Sequence, residues 1–341
     1  MKTAELIKTA KTLVADFKGI LAMDESTPTI SNRFDQFGIA QTEENQRTYR
    51  ELIITTPGIG EFISGMILFD ETIRQHMADG TSFVKVITKA GIIPGIKVDT
   101  GSKNMAGHPE ERITEGLDGL RDRLAEYYEM GARFAKWRAV ITISDNIPSI
   151  SCIEANAHAL ARYAALCQEA GMVPIVEPEV LMDGKHTMER CFVVTEVVLR
   201  TVFNHLFLQG VMLEGMLLKS NMVVPGLNCS VQESEDKVAD ATVKCMMRSV
   251  PAAVPGIMFL SGGQSCELAS ERLNAMNMRF KGQLPWGLSF SYGRAIQQPA
   301  LGIWQGKVSN ILEAQQALIH RCRCNRDARR GEYTAALEKG I

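Results

Sequence analysis

The sequence of 341 residues predicts an α/β fold, a single (β/α)8 TIM barrel, and three observations support that prediction. Eight short apolar and β-branched runs each precede a stretch with helical periodicity, and such alternation requires a parallel sheet. A doubly wound sheet also satisfies the alternation, but the number eight and the lack of a Gly-x-Gly-x-x-Gly motif after the first run favour a closed barrel. No segment rich in Gly, Ser or Pro divides the chain, so we expect one domain over residues 1–341, with a C-terminal tail from about residue 325.

The predicted elements follow one another in the order that repeated strand–helix units require. A short amphipathic helix opens the chain, and strands are expected at residues 19–25, 63–70, 93–99, 132–141, 172–180, 216–222, 256–262 and 286–294. Three helices between them end at Gly131, Gly171 and Gly210, because glycine readily adopts the left-handed conformation that closes a helix. A last long helix is expected from Val308, with Gln315 as the single polar interruption of its apolar stripe.

Composition and charge exclude several classes of protein. Hydrophobic residues make up 45% and charged residues 22%, as in an ordinary globular protein with a sizeable core. The net charge of −2 gives no basic footprint, so we expect no nucleic-acid partner. Apolar runs are interrupted within about ten residues, short of the ~20 that span a bilayer, and the N-terminus lacks the pattern of a secretory leader, so we expect no membrane partner.

Cysteines and histidines show neither disulfide nor zinc-ligand spacing. The eight cysteines include no Cys-x-x-Cys motif and mostly lie in apolar runs, which indicates free, buried thiols in a reducing compartment. Cys322 and Cys324 form one close pair, a weak signal for redox chemistry. The six histidines include no His-x-x-His or His-x-x-x-His pair, so local spacing predicts no preformed zinc site.

Charged residues lie near the C-terminal ends of otherwise apolar predicted strands. Residues two apart on a strand point to the same face, so Lys136 shares a face with Arg138, and Glu177 with Glu179. That face is the barrel interior, because helices cover the outer face, where an unpaired charge costs several kcal/mol. We expect the whole set at the barrel mouth, where enzymes of this fold hold their active sites: Asp24, Lys97, Asp99, Lys136, Arg138, Glu177, Glu179, Lys219 and Arg294.

Three of these residues are lysines, and their number suggests amine chemistry. Like charges nearby disfavour the ammonium form of the least solvated lysine and so favour a neutral amine. Lys219, flanked by apolar residues, is the best candidate for an amine that attacks a carbonyl and forms a Schiff base. Glu177 and Glu179 would then supply acid and base, and Asp24 would accept the proton of a substrate hydroxyl.

Two segments after the last two strands indicate an anion site. The run SGG (261–263) follows the seventh strand, and the run SYGR (291–294) ends the eighth. In (β/α)8 barrels the loops after these two strands commonly bind phosphate through backbone N–H groups, a helix N-terminus and a cation. A glycine pair alone would predict only a turn, but its position beside Arg294 favours a phosphate site.

With these residues in place, the chain resembles the class I (Schiff-base) fructose-1,6-bisphosphate aldolases from about residue 4 to about residue 325. The motifs that carry the resemblance fall on the expected strands in the expected order: GILAMDES (19–26), GIKVD (95–99), AKWR (135–138), VEPEV (176–180), LK (218–219), FLSGGQ (259–264) and SFSYGRA (289–295). Two features depart from the family. Pro28-Thr29 stands where Gly-Ser is common, and the tail has no terminal tyrosine. We expect Tyr333 to be a structural anchor beside the last helix, and the alternative is that it folds back as a substitute proton carrier.

The resemblance implies an aldolase, a carbon–carbon lyase, that reversibly cleaves fructose 1,6-bisphosphate into dihydroxyacetone phosphate and glyceraldehyde 3-phosphate in glycolysis and gluconeogenesis. It implies sedoheptulose 1,7-bisphosphate as a second substrate in the Calvin cycle, no metal or other cofactor, a homotetramer, and a cytoplasmic location or, for a processed form, the plastid stroma.

The resemblance also implies roles for individual residues. The catalytic residues are Lys219 as the Schiff-base lysine, Glu177 as the main proton acceptor, Glu179 and Lys136 as its partners, and Asp24 as the base at the C4 hydroxyl. The phosphate-binding residues are Ser261, Gly262, Gly263, Ser291, Gly293, Arg294 and Arg33 at the C1 phosphate, and Ser26, Lys97 and Arg138 toward the distal phosphate.

Two other functions compete with this interpretation. Transaldolases and deoxyribose-phosphate aldolases share the Schiff-base chemistry but need one phosphate site, so Ser26, Lys97 and Arg33 argue against them. A non-catalytic scaffold would use surface basic patches, and the last predicted helix carries five arginines between residues 321 and 330. Cations at a helix C-terminus complement its dipole, which explains these arginines more simply, and the intact Lys219 favours an enzyme.

Overall fold

The computed structural model describes residues 2–339 and contains the closed parallel barrel of eight strands that the sequence predicts. The strands of the molecule are β1 (Gly19–Met23), β2 (Ile63–Leu68), β3 (Ile93–Lys97), β4 (Gly101–Asn104), β5 (Arg112–Glu115), β6 (Phe134–Ile141), β7 (Val173–Val180), β8 (Leu217–Ser220), β9 (Gly256–Phe259) and β10 (Gly287–Tyr292). Around the barrel the order is β1-β10-β9-β8-β7-β6-β3-β2, and β1 closes the ring between β10 and β2. Each barrel strand lies within one of the eight predicted segments.

Helices connect the strands and form the outer layer of the barrel. They are α1 (Lys2–Leu13), α2 (Thr27–Asp35), α3 (Glu43–Ile54), α4 (Asp70–Ile73), α5 (Phe83–Lys89), α6 (Leu120–Glu129), α7 (Ile150–Ala170), α8 (Met188–Leu208), α9 (Glu235–Ser249), α10 (Cys266–Arg279), α11 (Arg294–Trp304) and α12 (Ile311–Arg330). Gly131, Gly171 and Gly210 follow α6, α7 and α8 with φ of 109°, 84° and 67°, as predicted. Short 3-10 turns, Val308–Asn310 and Ala335–Lys339, flank α12 and its tail.

The antiparallel hairpin of β4 and β5 lies outside the barrel and was not predicted from the sequence. Each of its strands has four residues and a largely polar sequence, so no apolar alternation marks it. A buried side chain on α7 holds the hairpin in place. Asn156 donates from Nδ2 to the carbonyl of Arg112 at 2.9 Å and accepts from the backbone N–H of Thr114 at 3.3 Å.

The barrel interior has an apolar lower layer and a charged upper layer. One buried cluster forms the lower layer: Leu6, Ala10, Leu13, Ile20, Ala22, Ile67, Phe134, Val173, Ile175, Leu217 and Met258. The first three belong to α1, which therefore closes the N-terminal end of the barrel. The upper layer consists of charged residues, each two positions after a residue of the lower layer: Asp24, Lys136, Glu177 and Lys219. Because residues two apart on a strand point to the same face, these side chains also point inward. The functional groups thus stand on an apolar base.

Helix α8 is the one helix within residues 2–339 that is long and apolar enough to cross a bilayer by length and composition. Val194, Val198 and Val202 on one of its sides are buried in the core, while Val193 and Val197 are exposed. It connects β7 to β8 in the outer layer, so its apolar residues have the pattern of a core helix.

All eight cysteines are free, as the spacing predicts, and six of them are buried. Cys322 and Cys324 lie two residues apart on α12, where side chains at that spacing do not face each other. The pair therefore forms no disulfide, and each thiol has its own surroundings.

Candidate active site

The charged ends of the strands line a cavity of about 510 Å³ at the C-terminal end of the barrel. All the residues to which the resemblance assigns a role, except Gly263, contribute to its wall: Asp24, Ser26, Arg33, Lys97, Lys136, Arg138, Glu177, Glu179, Lys219, Ser261, Gly262, Ser291, Gly293 and Arg294. Asp99, also expected at the barrel mouth, is buried against Lys97 and is not part of the wall. Further lining residues were not selected from the sequence: Ala22, Glu25, Thr29, Asn32, Gln36 and Leu260.

A line of alternating charges crosses the base of the cavity. Lys219 on β8 places its Nζ 3.1 Å from Oε1 of Glu177 on β7. The other carboxylate oxygen of Glu177 lies 3.5 Å from Nζ of Lys136 on β6. Lys136 in turn lies 2.6 Å from Oδ2 of Asp24, and none of these four side chains is more than 12% exposed. The lysines therefore contact carboxylates. The neutral amine predicted from the sequence rests on repulsion among lysines alone and leaves these carboxylates out.

Burial and neighbouring charges act in opposite directions on these groups. Burial raises the pKa of Asp24, but Lys136 and Lys219 outweigh it and hold this pKa well below its usual range. Burial alone would raise the pKa of Glu177, but Lys219 and Lys136 lower it. The pKa of Lys136 is raised by Asp24 and Glu177 despite burial. At neutral pH Asp24 and Glu177 are therefore ionised and Lys136 is protonated.

Two further ion pairs involve cations of the cavity wall. Arg138 on β6 contacts the carboxylate of Glu179 on β7, and Lys97 on β3 places its Nζ 2.6 Å from Oδ1 of Asp99. The side chains of Arg138 and Lys97 remain 43% and 15% exposed, whereas their carboxylate partners are buried. Both cations can therefore present donors to an anion in the cavity without leaving their partners.

The loop after β9 forms one end of the cavity, where the sequence predicts an anion site. Gly262 has a φ of 57°, in the left-handed region that favours glycine, and a Cβ there would lie 2.5 Å from Cε of Met182, so a larger residue would have to displace the Met182 side chain. Arg294, the first residue of α11, donates from Nη2 to the carbonyl of Gly262 at 2.7 Å, which holds its guanidinium beside the loop. Gly263 lies behind the cavity wall, where a Cβ would be 2.6 Å from Cδ1 of Leu227. The structure therefore gives Gly263 a packing position.

Hydroxyl groups line the cavity near both ends. Ser291 on β10 is buried, and its Oγ makes no hydrogen bond within the described part of the chain. Ser26 precedes α2, and its Oγ lies 3.0 Å from Oγ1 of Thr29. Thr29 belongs to the Pro28-Thr29 departure from the family pattern, and the structure shows that this departure leaves a hydroxyl in the cavity.

A buried carboxylate, Glu25, holds the segment that carries Asp24 and Ser26. Arg33 contacts Oε1 of Glu25, and Nε2 of Gln297 donates to the same oxygen at 2.9 Å. Arg50 donates from Nη1 to the other oxygen at 2.6 Å and is only 3% exposed. Because these partners come from α2, α3 and α11, no local sequence signal could identify them.

Fold and cavity together define a class of protein, a (β/α)8 barrel whose cavity holds a buried lysine–carboxylate pair. Residues 5–340 match the sequence profile of the family described as fructose-bisphosphate aldolase class-I. The chain belongs to this family, which confirms the fold and the enzyme class expected from the sequence.

Individual relatives cover nearly the whole chain. A probable fructose-bisphosphate aldolase class 1 of Xanthomonas campestris pv. campestris is 56% identical over 334 residues, which are 98% of this chain and 99% of that protein. Cytosolic fructose-bisphosphate aldolase 4 of Arabidopsis thaliana is 51% identical over 340 residues, with coverage of 100% and 86%. The solved structure of the Plasmodium falciparum aldolase in complex with TRAP and a small-molecule inhibitor superposes with a TM-score of 0.96 at 48% identity, covering 98% and 96% of the two chains. The relatives include proteins named cytosolic and proteins named chloroplastic.

Proposed function

We propose that Lys219 is the residue on which this aldolase forms a Schiff base with fructose 1,6-bisphosphate before it cleaves the bond between C3 and C4. The observation that carries the proposal is the 3.1 Å contact between Lys219 Nζ and Glu177 Oε1, within a cavity that has anion-binding groups at two ends. An amine beside a base is the arrangement that nucleophilic attack on a carbonyl requires.

Glu177 supplies acid and base for formation of the Schiff base. It accepts the proton of the Lys219 ammonium, and the neutral amine attacks the C2 carbonyl of the ketose. One proton of the attached amine moves to the C2 oxygen and gives the neutral carbinolamine. Glu177 then returns its own proton to the carbinolamine hydroxyl, which leaves as water, and the nitrogen lone pair forms the iminium. Lys136, 3.5 Å from Glu177, stabilises the carboxylate whenever it is ionised. Glu179 is bound by Arg138, so we assign it a supporting role in orienting Glu177 and the substrate.

Cleavage requires a base at the C4 hydroxyl, and we assign that role to Asp24. As Asp24 accepts the hydroxyl proton, the bond between C3 and C4 breaks, the aldehyde leaves, and the electron pair enters the iminium to give an enamine. Protonation of C3 and hydrolysis release dihydroxyacetone phosphate and restore Lys219. Since the iminium accepts the electron pair, we propose that the reaction needs no metal or other cofactor.

Two sets of groups would bind the phosphates. We assign the C1 phosphate to the end formed by Ser261, Gly262, Ser291, Gly293, Arg294 and Arg33, and the distal phosphate to Ser26, Lys97 and Arg138. Gly263 contributes by packing behind the loop. Sedoheptulose 1,7-bisphosphate presents the same C1–C4 segment to Lys219 and Asp24, so we propose it as a second substrate.

Covalent trapping tests the assignment of Lys219. Sodium borohydride with dihydroxyacetone phosphate should reduce the iminium and add the mass of the substrate to the peptide that contains Lys219. Lys219→Arg should abolish both labelling and cleavage, because a guanidinium stays protonated. Lys97→Arg is the matched control and should still be labelled on Lys219. Labelling of Lys136 or Lys97 in the parent protein would overturn the assignment.

We also propose that the chain assembles into a homotetramer in a reducing compartment, either the cytoplasm or the plastid stroma. Helix α8 exposes Val193, Val197, Phe207 and Leu208, with 44–79% of each residue accessible in the single chain. A second copy would cover such apolar surface. Sedimentation should give four times the chain mass, and Phe207→Lys together with Leu208→Lys should lower it. A monomeric parent protein would refute the assembly.

A further inference from the structure

A group of three potential metal ligands lies outside the active-site cavity, where the C-terminal tail returns to the last helix. His320 and Cys324 are four residues apart on α12 and therefore share one face of the helix. Glu338, from the 3-10 turn Ala335–Lys339, reaches the same place. One ligand atom of each residue lies within 4.8 Å of the other two, and none of the three residues lines the active-site cavity.

Two of the three distances between these atoms match the edges of a tetrahedral zinc site, and the third, between Sγ of Cys324 and the carboxylate of Glu338, is within 4.8 Å. Sγ of Cys324 lies 3.5 Å from Nε2 of His320, and the same nitrogen lies 3.6 Å from Oε2 of Glu338. Zinc bonds of ~2.3 Å to sulfur and ~2.0–2.1 Å to nitrogen or oxygen, at tetrahedral angles, place neighbouring ligand atoms about 3.3–3.6 Å apart. The three side chains therefore need only small shifts to coordinate one ion.

Surrounding groups hold the carboxylate ligand in place. Tyr333, which is 5% exposed, donates from its hydroxyl to Oε1 of Glu338 at 2.6 Å, which leaves Oε2 directed toward His320. Such partners fix the orientation of metal ligands. The side chains of His320 and Glu338 are 12% and 20% exposed, so an ion has a route to the site and solvent can supply a fourth ligand.

Arg321 is the main opposing charge. Its Nη1 contacts Oε2 of Glu338, and a cation beside a metal lowers the affinity of the site. The guanidinium is also held at 2.9 Å by the carbonyl of Cys266 and by Oγ of Ser270, so it does not depend on Glu338 alone. A carboxylate oxygen has two lone pairs and can serve both cations, which predicts a zinc site of moderate affinity.

We propose that His320, Cys324 and Glu338 bind one zinc ion that fastens the C-terminal tail to α12. Zinc fits this set because it accepts thiolate, imidazole and carboxylate ligands together in tetrahedral geometry. On binding, the thiol of Cys324 releases its proton to solvent and coordinates as thiolate. The ion is structural, and no step of the aldol reaction passes through it.

Cobalt substitution of the full chain provides the test, after metals have been removed with a chelator. One equivalent of Co(II) should produce tetrahedral d–d bands and a thiolate charge-transfer band, and one equivalent of zinc should abolish both. Cys324→Ser should remove the charge-transfer band, and His320→Gln should weaken zinc uptake at least tenfold. Cys229→Ser, a partly exposed thiol on a loop, is the control and should leave uptake unchanged. Circular dichroism establishes that each variant is folded.

A second measurement follows the tail itself. Zinc should slow the release of C-terminal residues by carboxypeptidase in the parent protein and in Cys229→Ser, but not in Glu338→Gln. The proposal is overturned if the parent takes up no stoichiometric zinc, if cobalt binds without a thiolate band, or if folded Cys324→Ser binds zinc as tightly as the parent.

Discussion

The amine of Lys219 and the carboxylate of Glu177 lie 3.1 Å apart because they occupy inward positions at the same level of neighbouring strands. The register of β7 and β8 pairs Ile175 with Leu217, two residues before each of the reacting groups. Side-chain parity then places both groups on the inner face. The register of the sheet thus brings the two groups into contact.

Glu177→Gln should lower kcat by about 10²–10⁴-fold, the usual loss when a positioned acid–base group is removed. The amide keeps the size of the side chain but cannot accept the proton of Lys219. Steady-state cleavage of fructose 1,6-bisphosphate measures the effect, and Glu129→Gln, exposed on α6, is the matched control. A loss below about fivefold would show that another group does the proton transfer.

Dialysis against EDTA should leave kcat unchanged. The iminium accepts the electron pair of the broken bond, which a Lewis-acidic metal ion stabilises in metal-dependent aldol chemistry. The dialysed protein is assayed for cleavage, with metal content determined on the same sample. Removal of zinc from the tail should not alter this result. Loss of activity that zinc restores would contradict the Schiff-base mechanism.

Gly262→Ala should raise KM for fructose 1,6-bisphosphate about tenfold or more, because an added Cβ meets Met182 at 2.5 Å and displaces the anion-binding loop. Gly282→Ala is a close control. Its φ of 72° is similarly left-handed, but a Cβ there has nothing within 4 Å. The control should cost only ~1–2 kcal/mol of stability and leave KM unchanged. Equal KM values in the two variants would contradict the assignment of Gly262 to the phosphate site.

Removal of residues 333–341 should leave cleavage within about threefold of the parent, less than ~1 kcal/mol of barrier. Tyr333 is buried, its backbone N–H donates to Asn274 at 2.9 Å, and its hydroxyl donates to Glu338, as expected of an anchor. Detritiation of labelled dihydroxyacetone phosphate, compared with Tyr333→Phe, measures proton exchange at C3. A hundredfold fall in both variants would show that Tyr333 carries that proton.

Arg50→Met should lower the free energy of unfolding by about 3–5 kcal/mol, because it removes the more buried of the two arginines that pair with the buried Glu25. Arg47→Met on the same helix removes more exposed ion pairs to Glu44 and Glu51 and should cost less than ~1 kcal/mol. Urea denaturation of both variants measures the difference. Similar losses in the two would mean that the Arg50 pair contributes little.

Glu25 should also contribute to the acid sensitivity of the fold. Burial raises its pKa, but Arg50 and Arg33 outweigh burial and lower it from the ordinary value of 4.5. Its stabilisation is therefore complete above the ordinary pKa and is lost as the pH falls through the lowered, folded-state pKa. Glu25→Gln should be less stable at pH 7 and should lose less further stability than the parent below about pH 4. Parallel acid denaturation curves would contradict this origin.

The sequence predicted the barrel and most of the cavity wall because both depend on local patterns. Apolar runs marked each barrel strand, and two-residue parity placed Lys136 with Arg138 and Glu177 with Glu179 on the inner face. The polar hairpin of β4 and β5 offered no such pattern. Arg50 could not be identified because it lies 25 residues beyond its partner Glu25, and such a contact exists only in the folded chain.

The same limit applies to ligands supplied by distant segments. Histidine spacing alone predicted no zinc site, since the ligands of the proposed site include a cysteine on α12 and a glutamate from the tail. Pairwise motifs on one element can be found by inspection of the sequence. A third ligand supplied by a separate segment, such as Glu338, can be recognised only in the folded structure.

The position of β1 in the ring has a consequence for how activity appears during folding. Lys136, Glu177 and Lys219 stand on three consecutive strands, β6, β7 and β8, which pair directly with one another. Asp24 follows β1, which pairs with both β10 and β2 and so reaches Lys136 only when the first and last strands meet. A chain in which β1 has not yet docked holds the amine and its base but lacks the group assigned to the C4 hydroxyl. During refolding, the capacity to form a Schiff base would therefore precede the capacity to break the carbon–carbon bond.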